Sequence, residues 1–314
     1  MQTILGANGQ IGEELARELK RNFTSDIRIV GRNAQKVNDT DEVFLADLSI
    51  RENAVEAVKD SEIAYFTLGL PINTSLWEEQ FSLITRNVID ACKINGTKLV
   101  FFDNTYMYPQ DGRVLTEDTE FAPVGRKGKV RKEMTAMLLE EINSGQIDAV
   151  ICRAPEFYGP GKTQSITNTM IFNKIKEGQT IEIPLSTDKR RSLIWTPDAS
   201  RATALIGNTA DVYGQTWHLP VDNSHPTYAE FISLVSEIYG KEFEFTIVPE
   251  YIFQKGAQSS TVFAELLELL PRYACDNLFE DAKFRSRFSE FHTTSYREGI
   301  EQIRNEQTSI KKNQ

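Results

Sequence analysis

The chain has 314 residues, room for one large or two ordinary domains at roughly 100–200 residues each, and 40% hydrophobic with 25% charged residues exclude wholesale disorder. With 35 Lys and Arg against 45 Asp and Glu, the net charge is −10, which repels a polyanion and excludes nucleic acid as the main partner. Cys92, Cys152 and Cys275 are odd in number and far apart, and His218, His225 and His292 share no short ligand spacing, so the pattern predicts neither a disulfide framework nor a metal site.

The chain opens on the apolar run "TILGANG", with no charged leader and no apolar run near the ~18 residues a membrane helix needs. A cytoplasmic protein in a reducing compartment, without a membrane partner, is the expectation. From there to about residue 155, short apolar runs ("QTIL", "IRIVG", "IAYFTL", "KLVFFD", "DAVICRA") alternate with amphipathic stretches such as "IGEELARELKRN", "LWEEQFSLITRNVIDACKIN" and "KEMTAMLLEEINSG". Strand and helix by turns is the pattern of βαβ units, so the expected fold class is α/β, a Rossmann-like doubly wound parallel sheet with a smaller mixed C-terminal substrate region. Ile11, Leu15, Ala16 and Leu19 recur on one helical face, and Gly145 is placed to end a later helix.

The second apolar strand ends at Gly31, where NAD-binding chains carry a carboxylate for the ribose 2′-hydroxyl, and Arg32 follows. An arginine there suits a 2′-phosphate, which favours NADP over NAD. Asp47, in "ADLS", can stand beside the adenine amino group or serve as a helix N-cap. The first turn itself, Gly6-Ala-Asn-Gly9-Gln-Ile-Gly12, lies between strand and helix. Its glycines allow a tight turn, close backbone approach to a pyrophosphate and close helix packing, with the helix N-terminus facing the negative charge.

Beyond about Gly161 the rhythm breaks into a helical stretch near 168–177, an extended "TIEIPL" and late helices such as "YAEFISLVSEIYG". The expected division is a dinucleotide-binding domain over 1–160, rejoined by an element near 192–217, and a substrate-binding region over 161–314. The tail "EQTSIKKNQ" is expected to fray.

Taken together, these segments resemble the extended, atypical short-chain dehydrogenases/reductases, the NAD-dependent epimerase/dehydratase-like group that includes nucleotide-sugar epimerases and dihydroflavonol-type reductases. The spacing of Gly6, Gly9 and Gly12 is similar to the family's GxxGxxG. "RAPEFYGPG" resembles its R-P-x-x-x-Y-G-P-G segment beside the nicotinamide, "SLIWTPDASRA" its element around Asp198, and the stretch from Asp276 to Ile300 its closing motif, with Lys283 and Gly299 in register.

The resemblance implies chemistry by a Ser or Thr and by a Tyr and Lys spaced Y-x-x-x-K, in which the lysine holds the nicotinamide ribose and lowers the tyrosine pKa. "FFDNTYMYP" stands in for the first motif, placing Asn104 at the hydroxyl position with Thr105 beside it. In "VGRKGKVRKE" the lysine falls on Lys129 and the tyrosine on Gly125, so the phenol is missing. Three readings stay open. Lys129 acts alone, as in reductases of the isoflavone reductase group. Another phenol substitutes, Tyr106 first, with Tyr158 and Tyr108 behind it. Or the chain binds NADP(H) without hydride transfer, like NmrA-type redox sensors.

The expected catalytic set is therefore Lys129, Asn104, Thr105 and Tyr106. The expected cofactor-binding set is Gly6, Asn8, Gly9, Gln10, Ile11, Gly12, Arg32, Asn33, Asp47, Leu48, Leu68, Gly69, Lys129 and Phe157. The substrate is a small molecule, an anionic one included: nucleotide-sugar relatives bind a diphosphate through a basic C-terminal residue, and "KRR" at 189–191 lies before Asp198. Many relatives pair through a helical face, so a homodimer is one expected assembly. Positive charge at the start of the helix after Gly125 opposes the helix dipole and calls for an anion nearby.

Overall fold

A computed structural model describes residues 1–312. The chain forms two compact units. The first holds Met1–Met107, Arg126–Ala154 and Ala199–Leu219, and the second Tyr108–Gly125, Pro155–Asp198 and Pro220 onward. The division is finer than a single boundary near 160, because the segment 108–125 leaves the first unit before the helix that starts at Arg126.

The first unit is built on a seven-stranded sheet. Its strands lie in the order Glu42–Leu45, Ile27–Gly31, Gln2–Leu5, Ile63–Phe66, Lys98–Asp103, Ala149–Arg153, Thr216–His218, every neighbouring pair parallel. The inner strands are apolar on both faces, which is why they read as continuous hydrophobic runs rather than as alternation: Ile4, Leu5, Ile29, Val30, Val100 and Ile151 are fully buried. Each such side chain contributes ~1.5–3 kcal/mol against remaining in water.

The expected face of the first helix, Gly12–Asn22, is the one that packs, with Ile11, Leu15, Ala16 and Leu19 all buried. The helix Thr74–Asn95 is opened by Asn73, whose side chain accepts from the Leu76 N–H at 3.0 Å, and closed by Gly96 in the left-handed region. Gly145 does end the helix Arg126–Asn143, at φ +68°, donating to the Ile142 carbonyl at 3.0 Å.

Strand Gln2–Leu5 is central, flanked by Ile27–Gly31 on one side and Ile63–Phe66 on the other, with Leu5 opposite both Val30 and Phe66. The chain order of the strands reverses there. In open α/β sheets this switch point leaves a crevice beyond the carboxyl ends of the strands, where ligands bind.

The second unit carries short parallel ladders: Glu156–Tyr158 with Leu193–Trp195, Ile181–Pro184 with Phe245–Val248, and Val114–Leu115 with Leu278–Phe279. An aromatic core of Tyr158, Trp195, Phe231 and Tyr296 packs under the helices Tyr228–Tyr239 and Tyr296–Lys312. The helix expected from "YAEFISLVSEIYG" opens with a capping box between Thr227 and Glu230. Asp198 is buried and accepts from the Thr294 backbone N–H at 2.6 Å and its hydroxyl at 3.1 Å, tying the start of one helix to the segment before the last. Among the described residues no helix is long and apolar enough to cross a membrane.

Candidate cofactor and catalytic site

The glycine turn occupies the switch point, and its three glycines answer to different constraints. Gly6 has φ +94°, and a Cβ on it would stand 2.5 Å from Leu68 Cα. A Cβ on Gly12 would stand 2.6 Å from Ala7 Cα. Both positions are closed by the protein's own backbone. A Cβ on Gly9 would meet only the Gly6 carbonyl oxygen, at 3.4 Å. The space beside Gly9 is therefore open on an exposed turn that leads into the first helix, a cradle that fits a dinucleotide pyrophosphate. Gln10 and Ile11 follow, the Ile11 carbonyl accepting from Ser200 Oγ at 3.0 Å.

Arg32 and Asn33 are exposed just past the strand that ends at Gly31. Asn8 fixes the loop they begin: its side chain donates to the Gln35 carbonyl at 2.9 Å and accepts from the Gln35 N–H at 2.8 Å, much as a neighbouring strand would. Asp47 accepts from the backbone and hydroxyl of Ser49 at 2.9 and 2.7 Å, which holds its carboxyl below the usual range, with a further contribution from the charge of Arg32. The side chain is engaged as a local turn cap, and the Arg32 charge acts on the same place. Leu48 is buried, and Leu68 and Gly69 follow the strand Ile63–Phe66 at the mouth of the crevice.

The strand Lys98–Asp103 ends on a buried carboxylate that organises the turn after it. Asp103 Oδ1 accepts from Arg131 Nε and Nη2 at 3.1 and 2.5 Å and from the Asn104 N–H at 2.8 Å. Its Oδ2 accepts from Thr135 Oγ1 at 2.9 Å and from Arg153 Nε and Nη2 at 3.3 and 3.1 Å. Burial alone would raise the Asp103 pKa, but the two guanidiniums outweigh it and hold the carboxyl below its ordinary value. Asn104 Oδ1 in turn accepts from the Tyr106 N–H at 3.0 Å, so the turn carrying Asn104, Thr105 and Tyr106 hangs from this network. Thr105 is buried, and half-buried Tyr106 stacks on Trp77 at 6.2 Å.

The helix Arg126–Asn143 holds its first two lysines in different surroundings. Lys129 is exposed. Lys127 is the buried one, at 0%, and its Nζ donates to Thr74 Oγ1 at 2.7 Å. The reason is helical spacing: Lys127, Arg131 and Thr135 recur every four residues on the face whose later members bind Asp103, and Lys129 points elsewhere. That spacing is legible in "KGKVRKEMT".

In the second unit, Tyr108 and Tyr158 are both buried. Tyr158 sits in the aromatic core, and burial drives its pKa well above that of a free phenol. Phe157, on the strand beside it, is half-buried. Of the basic run at 189–191, Arg191 is buried and its Nη2 donates to Glu156 Oε2 at 2.9 Å. Glu156 Oε1 also accepts from Thr167, Tyr228 and Tyr273 at 3.0, 3.2 and 3.0 Å. Neither this network nor the Asp103 network is signalled by sequence, because most of their members lie 28 or more residues apart. Among the described residues no cluster of His, Cys, Asp or Glu could hold a metal ion.

A model of the family described as NAD dependent epimerase/dehydratase matches residues 3–217. No curated protein matches the chain. Solved structures similar to it include UDP-glucuronic acid 4-epimerase from Bacillus cereus in complex with UDP-glucuronic acid and NAD, at 16% identity and TM-score 0.80 over 99% of this chain and 100% of that one. UDP-glucose 4-epimerase from Thermus thermophilus in complex with NAD matches at 16% identity and TM-score 0.77, over 98% of this chain and 99% of that one. MoeE5 in complex with UDP-glucuronic acid and NAD matches at 18% identity and TM-score 0.79, over 100% and 99%. At these identities the likeness is one of fold.

Proposed function

The chain belongs to the NAD dependent epimerase/dehydratase family, and from that premise we propose that it is a nicotinamide-dinucleotide oxidoreductase or epimerase, preferring NADP(H), that acts on a carbonyl or hydroxyl group of a small molecule. The observation that carries the proposal is the open space at Gly9 between two glycines closed by the protein's own backbone. A turn needed only for folding would have no use for a small residue at the middle position. The preference for NADP(H) over the NAD of the family's description rests on Arg32, exposed where a 2′-phosphate would lie, and on Gly31 in place of a carboxylate.

A bound dinucleotide would supply hydride exchange. The chain's own residues do the rest. Lys129, exposed on the same helix, takes the ribose-holding place, and the fully buried Lys127 braces the start of that helix on Thr74. Asn104 and Thr105 orient the substrate oxygen, and Tyr106 lines the reacting centre from the turn that Asp103 pins. The UDP-sugars bound in similar structures suggest a substrate class, and of the basic run at 189–191 the buried Arg191 is committed to Glu156 while Arg190 is exposed.

One observation supports a second reading, a non-catalytic NADP(H)-responsive regulator: Pro123, Val124 and Gly125 offer no phenol, and Tyr108 and Tyr158 are buried. Titration of the purified protein with NADPH and NADH tests the proposal. NADPH binding that Arg32→Ala weakens by about 10- to 100-fold, the worth of charge-assisted hydrogen bonds, with NADH unchanged, supports it. Failure to bind either nucleotide overturns it, and binding without turnover of any carbonyl compound shifts it to the regulator.

A further inference from the structure

Strands joined in parallel are usually connected through a helix of their own. Ile27–Gly31 and Glu42–Leu45 run parallel, yet residues 32–41 join them without one. The connection also buries little: Asp41 is buried, Ala34, Val37 and Asn38 are half-buried, and the rest are exposed. Few buried apolar contacts leave such a segment free to open locally, but this one is tied at two points. At its far end, Asp41 Oδ2 accepts from the Val37 and Asn38 N–H groups at 3.0 and 2.6 Å, and Asn38 Nδ2 donates to the Ala16 carbonyl of the first helix at 3.0 Å. At its near end the Asn8 side chain donates to the Gln35 carbonyl at 2.9 Å and accepts from the Gln35 N–H at 2.8 Å. All of these residues lie in the first unit.

The two ties lead to different places. The far one reaches the first helix, whereas Asn8 stands in the glycine turn itself, next to the open position at Gly9. Between Gln35 and the strand lies Arg32, exposed and, among the described residues, engaged in no hydrogen bond or ion pair. Asn8 therefore limits how far the guanidinium can stand from the pyrophosphate cradle.

We propose that Asn8 is a positioning residue for nucleotide selectivity, clamping the Arg32 loop to the glycine turn so that a 2′-phosphate meets a guanidinium already in place. This rests on the NADP(H) reading above. Both ends of the Asn8 amide are turned to Gln35, so Asn8 acts through Arg32 rather than by holding the nucleotide. A loop ordered beforehand does not have to be ordered by the ligand, and the difference favours the nucleotide that uses the loop. NADPH and NADH share the pyrophosphate, and only NADPH carries the 2′-phosphate.

The brace is tested without nucleotide, by amide exchange. Gln35 is exposed, so its N–H owes its protection to Asn8, and Asn8→Ala is expected to speed its exchange by about threefold to tenfold. Unchanged exchange overturns the proposal.

Selectivity is tested by a double-variant cycle. Asn8→Ala is expected to lower the ratio of NADPH to NADH affinity by about threefold to tenfold, the worth of the hydrogen bonds it removes. In an Arg32→Ala background the same substitution is expected to leave the ratio where Arg32→Ala puts it, because Asn8 then has no guanidinium to place. A residue that merely shaped the turn would weaken both nucleotides alike. An equal fall of the ratio in both backgrounds, or no fall in either, overturns the proposal. Asn8→Ser, whose hydroxyl is too short to reach both partners, replaces Asn8→Ala if that variant does not fold. A wild type that binds neither nucleotide, or both equally well, overturns the NADP(H) reading and the selectivity role with it, while Gln35 exchange still reports the brace.

Discussion

Lys127 Nζ donates to Thr74 Oγ1 at 2.7 Å from a fully buried side chain, while Lys129, two residues further along the same helix, is exposed. Removing the two ammonium groups should therefore have unequal effects. Lys127→Met leaves the Thr74 hydroxyl without its buried donor and is expected to lower the melting temperature by several degrees, the cost of a lost hydrogen bond to a charged donor. Lys129→Met is expected to keep the wild-type melting temperature, as exposed charges usually do, while it weakens NADPH binding by about tenfold. Thermal melts paired with fluorescence titration separate the two, and unchanged NADPH affinity in Lys129→Met would take the ribose away from Lys129.

Asp103 sets up a second expectation. It faces the guanidiniums of Arg131 and Arg153 from within the protein, so Asp103→Asn leaves two buried cations without their shared anion. Breaking a buried pair in this way costs about 3–5 kcal/mol. The double variant Asp103→Asn with Arg131→Gln removes one charge of each sign and should regain a measurable part of that loss. Urea unfolding midpoints for the three proteins give the answer, and equal midpoints for single and double variants would show that charge balance is not what Asp103 provides.

Acid stability depends on the same carboxylate and on Glu156. For each, burial raises the pKa but neighbouring arginines outweigh it, Arg131 and Arg153 for Asp103, Arg191 and Arg272 for Glu156. Both folded-state values lie below those of the unfolded chain, about 3.9 for Asp and 4.3 for Glu. The unfolded state then binds more protons in acid, so the stability these groups contribute is complete above the unfolded values and is lost as pH falls through the folded ones. Stability between about pH 5 and 2.5 should decline less steeply in a Glu156→Gln variant than in the wild type, from whatever lower level it starts. Parallel curves would remove Glu156 from the acid transition.

The sheet was legible in the sequence because buried parallel strands have no polar face to maintain, and the first helix because Ile11, Leu15, Ala16 and Leu19 repeat at its period. The glycine turn was legible because steric need is local: Gly6 and Gly12 answer to Leu68 and Ala7. The burial of Lys127 was not legible because alignment to a motif counts residues, whereas burial follows the helical face shared by Lys127, Arg131 and Thr135. The buried networks of Asp103 and Glu156 were not legible. Their side-chain partners lie 11 to 117 residues away, as from Glu156 to Thr167 and to Tyr273, and no short pattern records such distances.

The three glycines of the first turn give the sharpest separation of folding from binding. Gly6→Ala forces an L side chain to φ +94° and onto the Leu68 backbone, and Gly12→Ala drives a methyl group to 2.6 Å from Ala7 Cα. Strain of this kind costs about 1–3 kcal/mol before any backbone shift is counted, so both variants should melt several degrees below the wild type. Gly9→Ala meets only the Gly6 carbonyl at 3.4 Å, a separation a small adjustment relieves. Its melting temperature should stay near the wild-type value while its affinity for NADPH falls tenfold or more, because the added methyl group occupies the space through which the pyrophosphate approaches the backbone. Thermal melts paired with nucleotide titrations decide the matter. If Gly9→Ala binds NADPH as the wild type does, the open space at Gly9 is not the cofactor's, and the proposal loses the observation that carries it.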